Sequence, residues 1–517
     1  MMKAPRSHAV FFTIIASVYY AVFLQIADLK DTAIFGGDTW EYQSMAVNFA
    51  KGHGVQKFGA LESFSTYKFE MPTVIPPYYD DFIRSGHVTF YRTPAYSLLL
   101  GAVYKLFGVS PKIAKGIQLL LLVVIAASLP LIGAHYWGRS GFIGGLGAGA
   151  FYLATNYRLA ELIMTEALAA FAVFLVLLAF MAYEQRQGIT AATALGGSLG
   201  FALLVKGTLI FLPLLTGSMI LVNAIINRDR KELQRLLVVT VSAIFFVAPW
   251  SFYASAQSRS LVILATQGGS QLLSDNNEFC TDGRWHPEWR DNKNSFYNTD
   301  GIDRARYLTK VVNFYWHHPT LLPRCMAAKF MAGFGPLPFL WIFMGLALLD
   351  SAYRIANRFM QPKPIKFYVF AALVPLGALT SATVYHATGR AKIDRWVASG
   401  SLMVKLLPLL VIGLVVYLLV TGRVAFRIPR PFWLLWANFL LMTLVFHAEP
   451  SVVVKSRLIA PVDFLFALTC CVFAVSLFSE INNKLRTMLF HRSGGMESRT
   501  ESENSQSDMH SSSITET

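Results

Sequence analysis

Long apolar runs separated by short polar segments set the pattern of this chain. Crossing a bilayer takes ~20 mostly apolar residues for ~30 Å of hydrocarbon. Runs of that kind lie near residues 8–28, 112–135, 141–157, 164–183, 190–209, 210–226, 236–254, 327–349, 366–385, 401–420, 431–447 and 460–478. They predict an all-α polytopic integral membrane protein with about 12 transmembrane helices. A shorter apolar stretch, 95–108, suits a helix lying in the membrane interface. If it crossed, every later loop would change sides.

Orientation follows from where the cations lie. A cytoplasmic N-terminus sends "HYWGRSG", "YEQRQG", "NRDRKELQR", "YRIANRFMQPKPIK", "TGRVAFRIPR" and "NNKLRTMLFHR" to the cytoplasm, and these short segments are rich in Lys and Arg for their length, as the positive-inside rule asks of short loops. The same assignment puts 29–111 and 255–326 outside. One segment, 386–400 ("HATGRAKIDRWVASG"), comes out external yet carries Arg390, Lys392 and Arg395. Either a span boundary nearby differs or those cations serve an anionic ligand, and the sequence leaves both open. The basic start and its apolar run are too long for a signal peptide and no A-x-A site follows, so the first span is expected to stay uncleaved. The transmembrane domain is expected over 1–478. Residues 479–517 form a cytoplasmic tail, disordered from about 494, where Ser, Thr and Glu supply too little apolar surface to order it.

Composition agrees with a membrane protein. The chain is 54% hydrophobic and 15% charged, against roughly 25% charge in soluble domains. The formal net charge of +15 sits mainly in the cytoplasmic loops, so it argues for a lipid bilayer partner and not for nucleic acid. Four cysteines show no metal-ligand spacing; Cys280 and Cys325 pair only if both face an oxidising compartment, which separation in sequence does not show. His286, His317 and His318 also lack ligand spacing and read as loop polar groups. No cofactor is expected, and a divalent metal is left open with no residue pattern to support it.

The candidate chemistry starts at "IFGGDTWEYQSMAVNFAKGHG", residues 34–54, where the chain leaves the first span. Asp38 with Glu41 three residues on makes a capping box with Asp in the Ser/Thr place. The helix it opens carries Tyr42, Met45, Ala46 and Phe49 on one stripe, with Gln43, Ser44, Asn48 and Lys51 opposite. Such a helix is expected to lie flat in the interface, apolar face down. Taken alone, the stretch is explained by a cap and its partner. Further groups reach the same membrane face. Arg92 stands outside, where a snorkelling interfacial cation is the plain alternative. Thr165-Glu166 opens a span externally, Glu161 reads as an ordinary loop acid, and Lys206 falls near the external end of another span. Ionisable groups at span ends inside a bundle are costly and default to functional candidates.

The order of motifs resembles the glycosyltransferase family 39 group, which includes protein O-mannosyltransferases and lipid A aminoarabinose transferases, all membrane glycosyltransferases of the C superfamily (GT-C). A first span is followed by G-D-x-x-x-Y with its helix, then R-x-P-x-Y-x-x-x-L and L-F-G. Downstream, "TEAL", "LLVKGTLIFLP", "APWSFYASAQSRSLVILATQGGSQLLSDNN", "YWHHPTLLPRCMAAKF" and "SRLIAPVDFLFAL" are similar to the family's later motifs. The likeness covers roughly residues 10–478, and it is the order of motifs, not any one of them, that carries it. There are departures. Many members have Asp-Glu where this chain has Asp38-Thr39, some have Tyr where Leu458 stands, and a metal-site acid of some relatives is here Tyr91, so no metal is carried over.

The resemblance implies a GT-C fold and transfer of a glycosyl group from a polyprenyl-phosphate sugar donor to an acceptor hydroxyl outside the cytoplasmic membrane, with inversion. In that chemistry the acceptor loses a proton as it attacks, so a carboxylate base is needed: Asp38, with Glu166 orienting the acceptor or sharing the role. The departing lipid phosphate calls for cations: Arg92, Lys206 and Arg457, with Lys455 in reserve. Glu41 and Tyr42 are the expected substrate contacts, and segment 255–326 is expected to cover the site or choose the acceptor. A transporter or flippase of a lipid-linked sugar is the alternative from another class, although the chain lacks the internal repeat common there. A glycan polymerase or ligase of the same superfamily is the nearer one. Neither the sugar nor the acceptor, whether protein, lipid or glycan, is named by the sequence.

Overall fold

A computed structural model describes residues 6–29, 38–55, 90–186, 188–266, 304–334 and 429–445, with parts of 272–280 and 461–479. The expected spans at 366–385 and 401–420, segment 386–400, His286, Lys455, Arg457 and the tail lie outside the described residues. Regular structure among the described residues is helical: α1 (Arg6–Ile26), α2 (Asp38–Ala50), α3 (Ala95–Phe107), α4 (Pro111–Asn156), α5 (Glu166–Arg186), α6 (Ile189–Val205), α7 (Phe211–Asn227), α8 (Arg230–Ser258), α9 (Arg304–His317), α10 (Leu321–Phe334) and α11 (Arg430–Val445).

This is a membrane protein turned outward in the way lipid allows. Five helical stretches among the described residues are long and apolar enough to cross a bilayer. Val10, Ile14, Val18 and Val22 of α1 are exposed, as are Leu237, Val241, Ile244 and Phe245 of α8 and Leu214, Val222, Ile225 and Ile226 of α7. Contiguous apolar faces of this size mark an interaction surface, and hydrocarbon is the solvent that fits them. α3 is shorter and apolar, in keeping with the interfacial helix expected over 95–108.

The sequence led us to expect a polar loop, "HYWGRSG", between two spans. The structure has the two expected helices and shortens the connection between them to one residue: the Pro111–Asn156 stretch, α4, is helical on both sides of Gly138, which alone departs (φ 60, ψ −137). That region is open to glycine because it lacks a Cβ. The two halves of α4 then pack back on each other, Gly145 against the backbone of Leu129 and Pro130, and Gly149 against the Ala126 carbonyl. A second close crossing joins α6 to α8. A Cβ on Gly200 would stand 2.8 Å from the Ala243 carbonyl oxygen, and one on Gly196 would stand 2.7 Å from Ser242 Cβ. Small residues at i and i+4 let membrane helices approach where lipid supplies no hydrophobic drive. Aromatic edges fill the centre: Tyr152 and Phe174 meet the ring of Phe464 at 6.2 and 6.1 Å.

Two devices hold the segments after α8. Trp250 donates from Nε1 to the Leu264 carbonyl at 2.7 Å, and Thr266 N–H donates to the Phe90 carbonyl at 2.7 Å. The Phe90 and Trp250 rings are 5.7 Å apart, so this segment is fixed beside the start of the R-x-P motif. Further on, Cys280 and Cys325 form a disulfide with a Cα–Cα distance of 5.2 Å. Four residues along the chain from Cys325, Lys329 donates to Asn276 Oδ1 at 2.7 Å and to the Val445 carbonyl at 3.1 Å. Tyr315 adds a second donor to Asn276 Oδ1 at 2.9 Å.

Gly196→Val is expected to lower stability by about 1–3 kcal/mol through overpacking, while Gly197→Ala, whose Cβ would be 4.0 Å from Phe246, should be neutral or slightly stabilising; melting of the detergent-purified protein separates the two. In intact cells, a membrane-impermeant maleimide should label Cys280 and Cys325 only after reduction, read by mass spectrometry.

Candidate functional site

The site is assembled from four sequence-distant regions at one end of the helices. Asp38 and Glu41 lie on the first turn of α2. Arg92, two residues before Pro94 and α3, reaches back to both: Nη2 donates to Asp38 Oδ1, and Nε donates to Glu41 Oε2 at 2.5 Å. The three side chains are 10–17% exposed. Burial by itself would weaken the hold of Arg92 on its proton, but the carboxylates of Asp38 and Glu41 outweigh it and raise its pKa well above the ordinary value. The guanidinium also lies 5.8 Å from the ring centre of Tyr42 and 5.2 Å from that of Tyr91, within cation–π range.

The sequence predicted a wet side for α2, and this does not hold. Gln43, Ser44 and Asn48 are all buried, at 1%, 0% and 7% exposure. The reason is tertiary. Gln43 Oε1 accepts from the Tyr104 hydroxyl of α3, and Ser44 donates to the Glu41 carbonyl at 3.1 Å. α2 also presses on Gly101 of α3, where a Cβ would meet Phe49 Cδ1 at 2.7 Å. α2 is therefore clamped within the protein by its polar face as well as its apolar one.

A second charge pair stands close by. Glu166 opens α5 and is 3% exposed; Lys206 Nζ lies 3.6 Å from its Oε1. Lys206 occupies a break in the helical path: α6 ends at Val205, Lys206 is extended (φ −148, ψ 110), and a tight turn at Gly207–Ile210 leads into α7. A continuous helix would have carried the ammonium round its own axis; the break frees it to reach Glu166.

Polar residues that the sequence reading passed over link these pairs. The Thr93 hydroxyl donates to the Val205 carbonyl at 2.8 Å. Tyr96 stacks edge-on against Tyr42 at 5.1 Å and donates to Gln118 Oε1 at 2.8 Å. Gln118 in turn donates to the carbonyls of Ala160 and Leu162, at 3.2 and 2.8 Å, just ahead of Glu166. Burial, then the nearby Tyr104, Glu166 and Tyr42, push the Tyr96 phenol well above its ordinary pKa, so it acts as a fixed donor. Gln118 has a signal in sequence, a carboxamide running straight into "LLLLVV", but a search restricted to ionisable groups misses it. Thr93 has none. Glu161 accepts from the Asp28 backbone N–H at 3.0 Å, the part of an ordinary loop acid.

Of the expected site residues, Asp38, Glu41, Tyr42 and Arg92 are thus in direct contact, Glu166 and Lys206 form a neighbouring pair, and Arg457 lies outside the described residues. The five charged groups comprise three carboxylates and two cations. The set can hold a hydroxyl nucleophile by its acids and neutralise only part of an incoming anion. Among the described residues, no group of three or more His, Cys, Asp and Glu side chains is placed to hold a metal ion.

No family model matches the chain, and no curated protein matches it. Among solved structures it is similar to the crystal structure of ArnT from Cupriavidus metallidurans bound to undecaprenyl phosphate, with 14% identity and a TM-score of 0.37, over 92% of this chain and 78% of that one. It is also similar to the same protein in the apo state, with 16% identity, a TM-score of 0.36 and the same coverage.

Arg92→Gln removes the guanidinium from two withdrawn carboxylates, and removing one member of such a set costs about 3 kcal/mol or more. The melting temperature should fall clearly, and Asp38→Asn added to Arg92→Gln should recover part of the loss. Arg92→Lys should not restore it, because one ammonium cannot reproduce the planar fork.

Proposed function

We propose that the chain is a membrane glycosyltransferase of the C superfamily, which transfers a glycosyl group from a polyprenyl-phosphate sugar to an acceptor hydroxyl at the outer face of the cytoplasmic membrane. The observation that carries this reading is the convergence of Asp38, Glu41, Arg92, Glu166 and Lys206, drawn from four distant stretches of chain, at one end of a lipid-facing bundle. The motif resemblance, G-D-x-x-x-Y followed by R-x-P and the later segments, supplies the reaction class. The Cys280–Cys325 disulfide supports an outward-facing loop after α8, since such bonds persist in oxidising compartments.

In this reading Asp38 removes the acceptor proton as the oxygen attacks the anomeric carbon. The bond from that carbon to the phosphate oxygen breaks, its electron pair leaves with the lipid phosphate, and attack from the opposite face inverts the centre. Glu166, held by Lys206, orients the acceptor; Glu41 and Tyr42 line its approach. Arg92 carries five N–H donors, so it is able to hold both acids and also take part in binding the phosphate. Lys206, paired with Glu166, is the second cation of the site. Among the described groups acids outnumber cations, so the departing phosphate calls for a further positive group, and Arg457 is our candidate for it.

The test is transfer of labelled sugar from a polyprenyl-phosphate carrier by the purified protein. Wild type should transfer, and Asp38→Asn should lose at least a hundredfold, the usual scale for removing a general base. Transfer by Asp38→Asn at the wild-type rate would remove the base assignment. Absence of transfer by both forms, with movement of the lipid-linked sugar across vesicles, would favour a transporter.

A further inference from the structure

The two charge clusters are built on separate elements, Asp38, Glu41 and Arg92 on α2 and the approach to α3, Glu166 and Lys206 on α5 and the break after α6. One side-chain hydrogen bond joins the cation of each: Thr93, next to Arg92, donates to the carbonyl of Val205, next to Lys206, at 2.8 Å. Thr93 is 7% exposed, so little water is at hand to replace it. The carbonyl needs a partner because α6 ends at Val205 and the next backbone N–H to turn back, that of Leu209, bonds to Lys206 instead. A helix end buried without a partner for its last carbonyls is costly. The other branch of Thr93 faces Gly207, where an added Cβ would make ordinary van der Waals contact with Thr93 Cγ2 at 3.5 Å.

We infer that Thr93 is a positioning residue: its hydroxyl fixes the separation of Arg92 and Lys206, so that one phosphate group is met by both cations at once. This rests on the polyprenyl-phosphate reading given above and adds to it the residue that sets the spacing. The position is the variable one of the R-x-P motif, and here it ties the motif to the helix break that frees Lys206. Loss of the hydroxyl leaves each ion pair intact within its own cluster and loosens only the link between them.

Threonine allows the two roles to be separated. Thr93→Val keeps the methyl and the shape but removes the donor; Thr93→Ser keeps the donor and removes the methyl. Binding of undecaprenyl phosphate to the full-length, detergent-purified protein is measured for wild type and both variants, alongside their melting temperatures. Thr93→Val should bind at least about fivefold more weakly, the equivalent of one hydrogen bond at ~1 kcal/mol, and Thr93→Ser should stay within about twofold of wild type. If Thr93→Val yields no folded protein, Thr93→Ala carries the same comparison with less bulk. Equal binding by wild type and Thr93→Val overturns the inference, as does an equal loss in both variants, which would mean that packing and not the hydroxyl matters. No binding by wild type overturns the polyprenyl-phosphate reading, and the inference falls with it.

Discussion

A guanidinium shared by two carboxylates, all three mostly withdrawn from water, is the constraint on which the outer end of this protein depends. Each charge alone would be costly there, and only the set is tolerable. Arg92 can reach Asp38 and Glu41 only if α2 and α3 lie side by side. That in turn requires a glycine at 101 under Phe49 and a partner for Gln43 inside the protein. The ion pairs thus dictate helix placement as much as they follow from it, and the amphipathic look of α2 is misleading for the same reason.

The rest of the described bundle uses a different currency. Lipid offers helices no reward for hiding apolar surface, so contact must come from close approach and from polar links. Glycines supply the first between the halves of α4 and between α6 and α8. Gln118, Thr93 and the Asn156–Asp463 pair at 2.7 Å supply the second. These links cluster toward the end where the charged groups gather, which leaves that end stiffer than apolar packing alone would make it.

How much of this was legible follows from the physics of each signal. Spans are read from apolar length, which is local, and α5, α7, α8 and α11 appear where the runs predicted. The start of α2 is legible because its Asp38–Glu41 signal is local too, although Asp38 lies inside the first turn and not before it. The burial of Gln43, Ser44 and Asn48 is not, since it depends on Tyr104, more than fifty residues away in sequence, and on the crossing at Gly101. The loop expected around Trp137 and Arg139 became a reversal at one glycine because a polar run of that length reads the same whether or not its backbone stays helical. The site acids and cations were found as ionisable groups in the wrong solvent, whereas Thr93 and Gln118 carry no charge to betray them. Lys329, buried against Asn276, was within reach of the charge rule and was passed over inside its motif.

The single-residue reversal at Gly138 has a mechanical consequence. With no connector between them, and with backbone contacts at Gly145 and Gly149, the two halves of α4 have no room to slide or splay independently, and a tilt of one carries the other with it.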